Sequence, residues 1–370
     1  MTGLTRAAVL QRIGAEPPYA TSRPICVREV RLADPGPTEI LVRIEAAGLC
    51  HSDLSVVNAD RPRPTPMALG HEAAGIVEAL GDEVTGMQIG QRVVMTFLPR
   101  CGDCAQCRTD GRLPCGPGTA ANTAGTLLSG ARRLADADGP IHHHLGVSGF
   151  AERAVVDARS VVPVDADIPP HIAALLGCAT LTGGGAVLNV GKPDPGDTTA
   201  IVGLGGVGMA ALLVAIAQDK GPVIGIDANP AKFEVALRAG AAECLTPAEA
   251  VARELRAEVV VECAGHPRAF ETAFAVTAPG GRTVTVGLPR QDARSEIAPL
   301  LLTAEARTVI GSYLGSAIPA NDIPVYARMW REHRLPLELL VSSTIELEQI
   351  NEAMDELSRG AALRQIIRFD

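Results

Sequence analysis

The pattern of apolar and polar positions changes character near the middle of the chain. Up to about Gly177, short runs rich in Val, Ile and Ala alternate with turns that contain Pro and Gly. The runs at 40–45, 75–80 and 92–96 predict strands joined by such turns. This half of the chain therefore predicts a mostly β domain.

From about 180 to 313, apolar strand-like runs alternate with helical patterns. The runs at 199–203, 223–227, 258–262 and 282–287 predict strands, and helices are predicted to begin near Val207, Pro230 and Pro267. This alternation is typical of a parallel sheet with crossover helices. A helix over 346–359 and an apolar run over 364–369 could belong to either half, and the segment 116–149 is too weakly patterned to interpret.

Length and composition support two soluble domains. A chain of 370 residues exceeds the size at which one core usually stops growing. Aromatic residues are 3% of the sequence while hydrophobic types are 47%, so the core must consist mainly of Ala, Val, Leu and Ile. The net charge of -9 without long blocks of like charge argues against a nucleic-acid partner.

The sequence predicts a cytoplasmic location without membrane insertion. Its first 18 residues lack an apolar segment of signal-peptide length. The longest apolar stretch noted, 209–217, is far shorter than the roughly 20 residues that cross a bilayer. In a reducing compartment, the nine cysteines favour metal ligands or reactive thiols over disulfides.

A glycine motif predicts a dinucleotide site. Gly203, Gly205 and Gly208 lie directly after an apolar strand and at the start of an apolar helix, and Gly206 and Val207 lie within the same turn. The first glycine permits a tight turn, the second lets the backbone approach a pyrophosphate, and the third lets helix and strand pack closely. FAD is a weaker alternative, because its motif usually opens a chain.

Asp227 ends the next predicted strand, where its carboxylate would accept hydrogen bonds from the adenosine ribose. That charge would repel a 2'-phosphate, so NAD is favoured over NADP. The nearby Asn229 and Lys232 weaken this preference slightly, and Lys232 is counted among the cofactor-binding candidates.

Four closely spaced cysteines predict a structural zinc site. Cys101, Cys104, Cys107 and Cys115 form C-x2-C-x2-C-x7-C on a loop that contains Gly and Pro. Structural zinc sites fill all four tetrahedral positions with protein ligands, as four thiolates would here. Two alternatives remain for these four cysteines: they could bind an iron-sulfur cluster, or they could be thiols with no common role.

A second, dispersed set predicts a catalytic zinc site. Two thiolates, Cys50 and Cys178, and the imidazole of His71 would leave one zinc position open, as catalytic sites do. Asp53 could orient the His71 ring. The run His142 to His144 is assigned to a loop or pocket rim without metal, because adjacent side chains point in different directions.

At this point the chain resembles the zinc-containing medium-chain alcohol dehydrogenase family over nearly its full length. The motifs GHEAAGIVEALGDEVT, the four-cysteine loop, PIHHHLGVSGFAE and VGLGGVG match in order and spacing. The resemblance implies an α/β fold with a GroES-like, mostly β catalytic domain over 1–179 and 314–370. It places a structural zinc lobe at about 99–117 and a Rossmann NAD-binding domain, a doubly wound parallel sheet, over 180–313.

The resemblance also implies roles for individual residues. It makes Cys50, His71 and Cys178 the catalytic zinc ligands, the four-cysteine set the structural ligands and Glu72 an acidic residue near the catalytic metal. By the same resemblance, Ser52 would accept a proton from the substrate, and His51 would act as a relay base or contact a cofactor phosphate. Arg364 would contact the cofactor pyrophosphate, and Thr182 would pack on the nicotinamide. Phe97 and Leu145 would line the substrate pocket.

Departures from related branches limit the substrate prediction. The branch that oxidises a thiol conjugate of formaldehyde binds that conjugate through an acidic residue and an arginine. This chain has Arg61 and Thr119 at those two positions, which argues against that branch, although the adjacent Asp60 keeps it open as an alternative. Cys178 argues against the polyol branch, which commonly has a carboxylate there, and the complete ligand set argues against quinone reductases. Pro114 and Ala120 suggest room for a bulky or aromatic alcohol.

The sequence therefore predicts an alcohol dehydrogenase with two Zn²⁺ per subunit and NAD, acting on a primary or secondary alcohol to give an aldehyde or ketone. A homodimer or homotetramer is expected. The alternatives are the formaldehyde branch and a non-catalytic zinc and nucleotide-binding scaffold.

Overall fold

The computed structural model describes residues 3–109 and 113–369. Packing divides the chain into two compact units: unit 1 comprises 1–178 and 341–370, and unit 2 comprises 179–340.

Within the described residues the strands are β1 (Gly3–Leu10), β2 (Ile25–Leu32), β3 (Glu39–Gly48), β4 (Met67–Ala68), β5 (Ala73–Leu80), β6 (Arg92–Met95), β7 (Leu134–Asp136), β8 (Gly139–His143), β9 (Arg153–Asp157), β10 (Val161–Pro163), β11 (Thr199–Val202), β12 (Val223–Ile226), β13 (Glu243–Leu245), β14 (Ala257–Glu262), β15 (Thr277–Thr285), β16 (Thr308–Gly311), β17 (Val341–Ile345) and β18 (Arg364–Arg368). The α-helices are α1 (Tyr19–Ser22), α2 (His51–Val57), α3 (Gly116–Ala124), α4 (Pro170–Leu175), α5 (Leu181–Gly185), α6 (Gly206–Gln218), α7 (Phe233–Arg238), α8 (Pro247–Ala252), α9 (Pro267–Ala275), α10 (Pro299–Ala304), α11 (Pro319–Arg331) and α12 (Ile350–Ser358).

Unit 1 is built from two β systems. Strands β1, β2, β7, β8 and β4 close a barrel, and a second sheet has the order β10-β6-β5-β3-β18-β17 with β9 also paired to β3. In β3, Ile40, Val42 and Ile44 are buried while the intervening side chains are partly exposed, as a strand with one face on the core requires. α12 contributes Ile350 and Met354 to this core.

Unit 2 contains a six-stranded parallel sheet with the order β13-β12-β11-β14-β15-β16. Counted along the chain, this is the order 3-2-1-4-5-6 of the doubly wound dinucleotide-binding fold. Every residue of β11 and β12 is buried. Both strands are continuously apolar because helices cover both faces of such a sheet.

Among the residues that the structure describes, one helical segment, Pro170–Gly191, is long and apolar enough to span a membrane by length and composition. However, 83% of its apolar window is buried inside the protein, as in a core helix. The apolar pattern of the sequence did not predict this helix, because Thr180, Thr182 and four glycines interrupt its apolar runs.

The structure changes the predicted domain boundary. Residues 314–340, assigned from the sequence to the first domain, pack within unit 2. The Nη2 atom of Arg334 donates to the carbonyl of Ala217 at 2.6 Å, and a Cβ on Gly184 would lie 2.7 Å from the ring of Tyr326. The uninterpreted segment 116–149 contains α3, β7 and β8, and the predicted final helix and strand are α12 and β18 of unit 1.

Candidate active site

The structure brings Cys50, His71 and Cys178 together within unit 1. Cys50 caps the start of α2, His71 lies in the turn between β4 and β5, and Cys178 lies in a π-helical turn after α4. Their ligand atoms all lie within 4.8 Å of one another, and all three side chains are buried. Sγ of Cys178 is 3.4 Å from Nε2 of His71.

This donor set fits zinc. Zn–S and Zn–N bonds of about 2.3 and 2.0 Å in a tetrahedron place sulfur and nitrogen about 3.5 Å apart. Two thiolates and one imidazole are the borderline-soft donors that zinc prefers, and three protein ligands leave a fourth position for a small molecule. The set therefore has the character of a catalytic rather than a structural zinc site.

Asp53 connects two of these three residues. Its Oδ2 accepts the backbone N–H of Cys50 at 3.0 Å, while its Oδ1 lies 3.1 Å from Nδ1 of His71 and accepts the N–H of Gly70 at 3.3 Å. The predicted contact between Asp53 and the His71 ring is thus present. It leaves Nε2 of His71 to face the sulfur of Cys178.

Burial and charge set the protonation of this group. Burial raises the pKa of the Asp53 carboxyl, but the neighbouring imidazoles, His71 above all, lower it further than burial raises it. Burial lowers the pKa of His71, and the charge and hydrogen bond of Asp53 outweigh this and raise it. The Cys178 thiol holds the pKa of Cys50 below its usual value, and the same contact raises the pKa of Cys178.

Glu72 and Arg364 form a buried ion pair beside Cys50. Nε of Arg364 lies 3.2 Å from Oε1 of Glu72, and Nη2 lies 3.5 Å from Sγ of Cys50. Gly48 makes room for this carboxylate, because a Cβ there would lie 2.5 Å from Oε1. The second oxygen, Oε2, is buried without a hydrogen-bond partner among the described residues.

This position of Arg364 was not foreseen. The resemblance assigned it to the cofactor pyrophosphate, whereas the structure gives all three guanidinium nitrogens contacts within unit 1, the third being Nη1 to the carbonyl of Leu363. The side chain is 3% exposed. A contact with the cofactor stays a prediction.

The other predicted residues near this site occupy varied positions. His51 is exposed and Ser52 is partly exposed in the first turn of α2. The ring of Phe97 packs edge-on against that of His71, with centroids 5.6 Å apart. Leu145 is buried in a left-handed conformation with φ of 52°.

The three histidines of the run have separate surroundings, as expected for adjacent residues. His142 faces Arg132, and His143 accepts the backbone N–H of Arg133 at its Nε2. His144 instead lies with its Nδ1 3.1 Å from Oδ1 of Asp53. This third contact could not be predicted from the sequence, since no spacing rule joins residues 53 and 144.

The four-cysteine loop also converges. The sulfurs of Cys101, Cys104, Cys107 and Cys115 all lie within 4.8 Å of one another. The pairs Cys101–Cys107 and Cys104–Cys115 are 3.9 and 4.0 Å apart, close to the roughly 3.8 Å between thiolates on one tetrahedral zinc. The backbone N–H of Cys107 lowers the pKa of Cys104 to about 6, which favours a thiolate there. Residues 110–112 of the predicted lobe lie outside the described residues.

In unit 2 the glycine motif forms the turn between β11 and α6. Gly203 has φ of 91°, a conformation that other residues rarely adopt. A Cβ on Gly208 would lie 1.7 Å from the carbonyl oxygen of Gly203, so helix and strand could not pack as closely. A Cβ on Gly205 would meet nothing within 4 Å, which leaves open space at the start of the helix.

Asp227 lies just after β12 and beside this turn. Its Oδ2 accepts the backbone N–H of Leu204 at 2.6 Å and faces Nζ of Lys232 at 3.1 Å, and its Oδ1 accepts the N–H of Asn229 at 2.8 Å. The carboxylate thus fixes the glycine turn as well as bearing charge. Thr182 lies in α5 of the same unit, largely buried.

Comparison with known proteins assigns the two halves of the chain. Residues 36–166 match the alcohol dehydrogenase GroES-like domain, and residues 206–331 match the zinc-binding dehydrogenase family. Alcohol dehydrogenase 2 of Zea mays is 32% identical over 364 residues, covering 95% of this chain and 96% of that protein.

Two solved structures are similar over both complete chains. One is an alcohol dehydrogenase zinc-binding domain protein from Burkholderia ambifaria, with a TM-score of 0.92 and 31% identity. The other is a benzyl alcohol dehydrogenase from Acinetobacter calcoaceticus, with a TM-score of 0.90 and 28% identity. In each case the similarity covers 100% of this chain and of the other.

Proposed function

Because this chain belongs to the zinc-containing medium-chain dehydrogenase family, we propose that it is an NAD-dependent alcohol dehydrogenase. It would transfer a hydride between the carbinol carbon of a primary or secondary alcohol and the nicotinamide, with an aldehyde or ketone as the oxidised product. Cys50, His71 and Cys178 would hold one Zn²⁺, and the four-cysteine loop a second.

The observation that carries this proposal is the convergence of three buried zinc donors, with ligand atoms within 4.8 Å of one another. A fourth protein ligand would make the site structural, whereas three leave room for an alcohol oxygen. A zinc ion held there would supply Lewis-acid chemistry and would lower the pKa of a bound hydroxyl, as zinc lowers that of water from about 15.7 to about 7.

The metal should contribute more to catalysis than the residues that move the proton. The lowering of the hydroxyl pKa by zinc corresponds to roughly 12 kcal/mol at 1.36 kcal/mol per pKa unit, whereas a general base contributes about 3 to 5.5 kcal/mol. Ser52 would accept the hydroxyl proton, and the exposed His51 would release it to solvent. Loss of a metal ligand should therefore reduce activity more than loss of His51.

NAD is proposed over NADP because Asp227 places a negative charge beside the glycine turn. Lys232 offsets part of that charge at 3.1 Å. A benzyl alcohol dehydrogenase among the similar structures supports including aromatic primary alcohols among the substrates to be tested.

Absorbance at 340 nm after mixing the zinc-loaded protein, NAD and a panel of primary, secondary and aromatic alcohols tests the proposal. We expect NADH formation with at least one alcohol, and a much weaker response with NADP. No turnover of any alcohol with NAD, or of any aldehyde with NADH, by protein that holds two zinc ions would refute the proposal in favour of a non-catalytic scaffold. Turnover of formaldehyde only when a thiol is added would instead indicate the thiol-conjugate branch.

A further inference from the structure

Glu262 is a buried carboxylate in unit 2 that the proposed chemistry does not use. It is the last residue of β14 and is 1% exposed. Its Oε1 accepts the backbone N–H of Gly265 at 2.7 Å, and its Oε2 accepts the O–H of Thr285, the last residue of β15, at 2.8 Å. Burying a carboxylate is costly unless such donors satisfy it. The side chain therefore connects the loop that follows β14, residues 263–266, to the end of β15.

This β14 loop lies beside the glycine turn. β11 and β14 are neighbours at the point where the strand order of the parallel sheet reverses, and sheets of this kind bind ligands at the carboxyl ends of those two strands. A Cβ on Gly203 would lie 2.7 Å from Cβ of Ala264. A Cβ on Gly208 would lie 3.3 Å from Cβ of Cys263. A displacement of the β14 loop would therefore change the shape of the candidate dinucleotide crevice.

The β14 loop is packed closely on the β15 side but adjoins open space elsewhere. A Cβ on Gly287 would lie 2.1 Å from the backbone nitrogen of Gly265, so the two segments touch there. A cavity of about 300 Å³, lined in part by Glu262, Gly265, His266 and Phe270, adjoins the same loop. The cavity leaves room for the loop to move away from β15, and the hydrogen bonds of Glu262 oppose that movement.

We propose that Glu262 is a positioning residue for the cofactor, which holds the β14 loop in the conformation that binds NAD. This inference rests on the proposed function and adds a residue outside the glycine motif to cofactor binding. If the loop of a variant adopts the binding conformation in only a tenth of the molecules, the apparent Kd for the dinucleotide rises about 10-fold. Bound cofactor then selects that same conformation, so the rate of reaction from the bound state should change little.

Replacing Glu262 tests the proposal through the separate effects on KM and kcat. Glu262→Leu removes both hydrogen bonds and should raise KM for NAD at least about 10-fold, while kcat at saturating NAD changes less than about threefold. A purely structural defect would instead lower kcat in proportion to the loss of folded protein and leave KM unchanged. Glu262→Gln keeps an oxygen for the N–H of Gly265 and an amide that can donate to Thr285, so KM should stay within about threefold of wild type.

Glu258→Leu is the matched control. Glu258 lies near the opposite end of the same strand, where its Oε2 accepts the backbone N–H of Thr198 at 2.8 Å. Loss of this contact should leave KM for NAD within about twofold of wild type. Thr285→Val removes only one hydrogen bond of Glu262 and should raise KM at least about twofold, which tests the proposal even where Glu262→Leu does not fold.

NADH fluorescence gives the Kd of the cofactor without turnover of an alcohol, and this Kd should rise in parallel with KM in Glu262→Leu. Unchanged Kd and KM in folded Glu262→Leu, or in Thr285→Val where the first variant does not fold, would overturn the proposal. An equal rise in Glu258→Leu would also overturn it, because any lost contact of β14 would then have the same effect. Absence of NADH binding by the wild-type protein would instead remove the proposed function, and this inference with it.

Discussion

Oδ1 of Asp53 lies 3.1 Å from Nδ1 of His71, and both side chains are at most 1% exposed. The other oxygen of the same carboxylate accepts the backbone N–H of Cys50. One buried residue therefore contacts two of the three proposed zinc ligands.

Replacing Asp53 by Asn should weaken zinc binding at this site about 10- to 100-fold, because partners of this kind orient the ligating imidazole and increase its basicity. Competition with a chromogenic chelator measures the effect, and the four-cysteine site should retain its ion. Asp136→Asn, a change of the same type beside Arg28 in the barrel, is the control. Equal zinc affinity in wild type and Asp53→Asn would show that the contact is incidental.

The two cysteine sets should respond differently to loss of a sulfur. Cys178→Ser should reduce bound zinc from two ions per chain to one and abolish turnover. Cys107→Ser should also leave one ion, but its main effect should be on stability, because structural zinc sites contribute directly to folding. Metal analysis, activity assays and thermal unfolding of both variants distinguish the catalytic role of one site from the structural role of the other. Full activity in Cys178→Ser would contradict the assignment.

The buried pair of Glu72 and Arg364 should be sensitive to loss of either charge. Arg364→Met leaves the Glu72 carboxylate buried without its partner and should lower the free energy of unfolding by about 3 to 5 kcal/mol. Arg43→Met, in a half-exposed pair with Glu78, should cost about 1 kcal/mol or less. Urea unfolding measures both changes.

Combining Arg364→Met with Glu72→Gln should restore part of the stability, since no unpaired charge then remains. A similar small loss in Arg364→Met and Arg43→Met would indicate that Arg364 serves the cofactor more than the fold.

Stability should depend on His143 at acidic pH. Burial lowers the pKa of His143 to about 4, while an unfolded histidine titrates near about 6.5. Between these values the unfolded chain binds a proton that the folded chain does not, so stability contributed by neutral His143 is full above about pH 6.5 and is lost as the pH falls toward 4. The whole effect is about 3 kcal/mol.

His143→Gln keeps an acceptor for the N–H of Arg133 but cannot titrate. Urea unfolding between pH 4.5 and 7.5, in steps of about half a unit, should give a smaller slope for this variant than for wild type. Equal slopes would place the acid sensitivity elsewhere.

Charge at Asp227 should govern the choice of cofactor. Asp227→Asn keeps an oxygen that can accept the N–H of Leu204, but it removes the repulsion of a 2'-phosphate. The ratio of kcat/KM for NADP to that for NAD should rise at least about 10-fold, which corresponds to 1.4 kcal/mol. Asp219→Asn, at the other end of α6, is the control. An unchanged ratio would assign selectivity to other residues.

Local patterns in the sequence predicted the parts of the protein that depend on local geometry. Gly203 and Gly208 were recognised because a turn with positive φ and a close helix–strand contact each require glycine at a fixed spacing. The four-cysteine loop was recognised because four thiolates at short spacings can surround one zinc ion. For the open zinc set, the donor types of residues 50, 71 and 178 indicated a catalytic zinc, and the family resemblance supported the same ligands. Spacing gave no help there, because these residues are far apart in the chain.

Contacts between distant segments could not be predicted from such patterns. The ion pair of Arg364 with Glu72 joins residues 292 positions apart, and the contact of His144 with Asp53 depends on how the loop after β8 meets α2. Residues 314–340 were placed in the wrong unit for a related reason: an amphipathic helix such as α11 shows which face is buried but not what covers it.

The central claim is a metal ion held by two sulfurs and one nitrogen with an open fourth position. A crystal structure of the zinc-loaded protein, with anomalous differences collected on both sides of the zinc edge, tests it most directly. The account predicts one peak within bonding distance of Cys50, His71 and Cys178, whose fourth ligand is a water or an added alcohol, and a second peak among the four loop cysteines. A peak at the loop alone, in protein that oxidises alcohols, would contradict it.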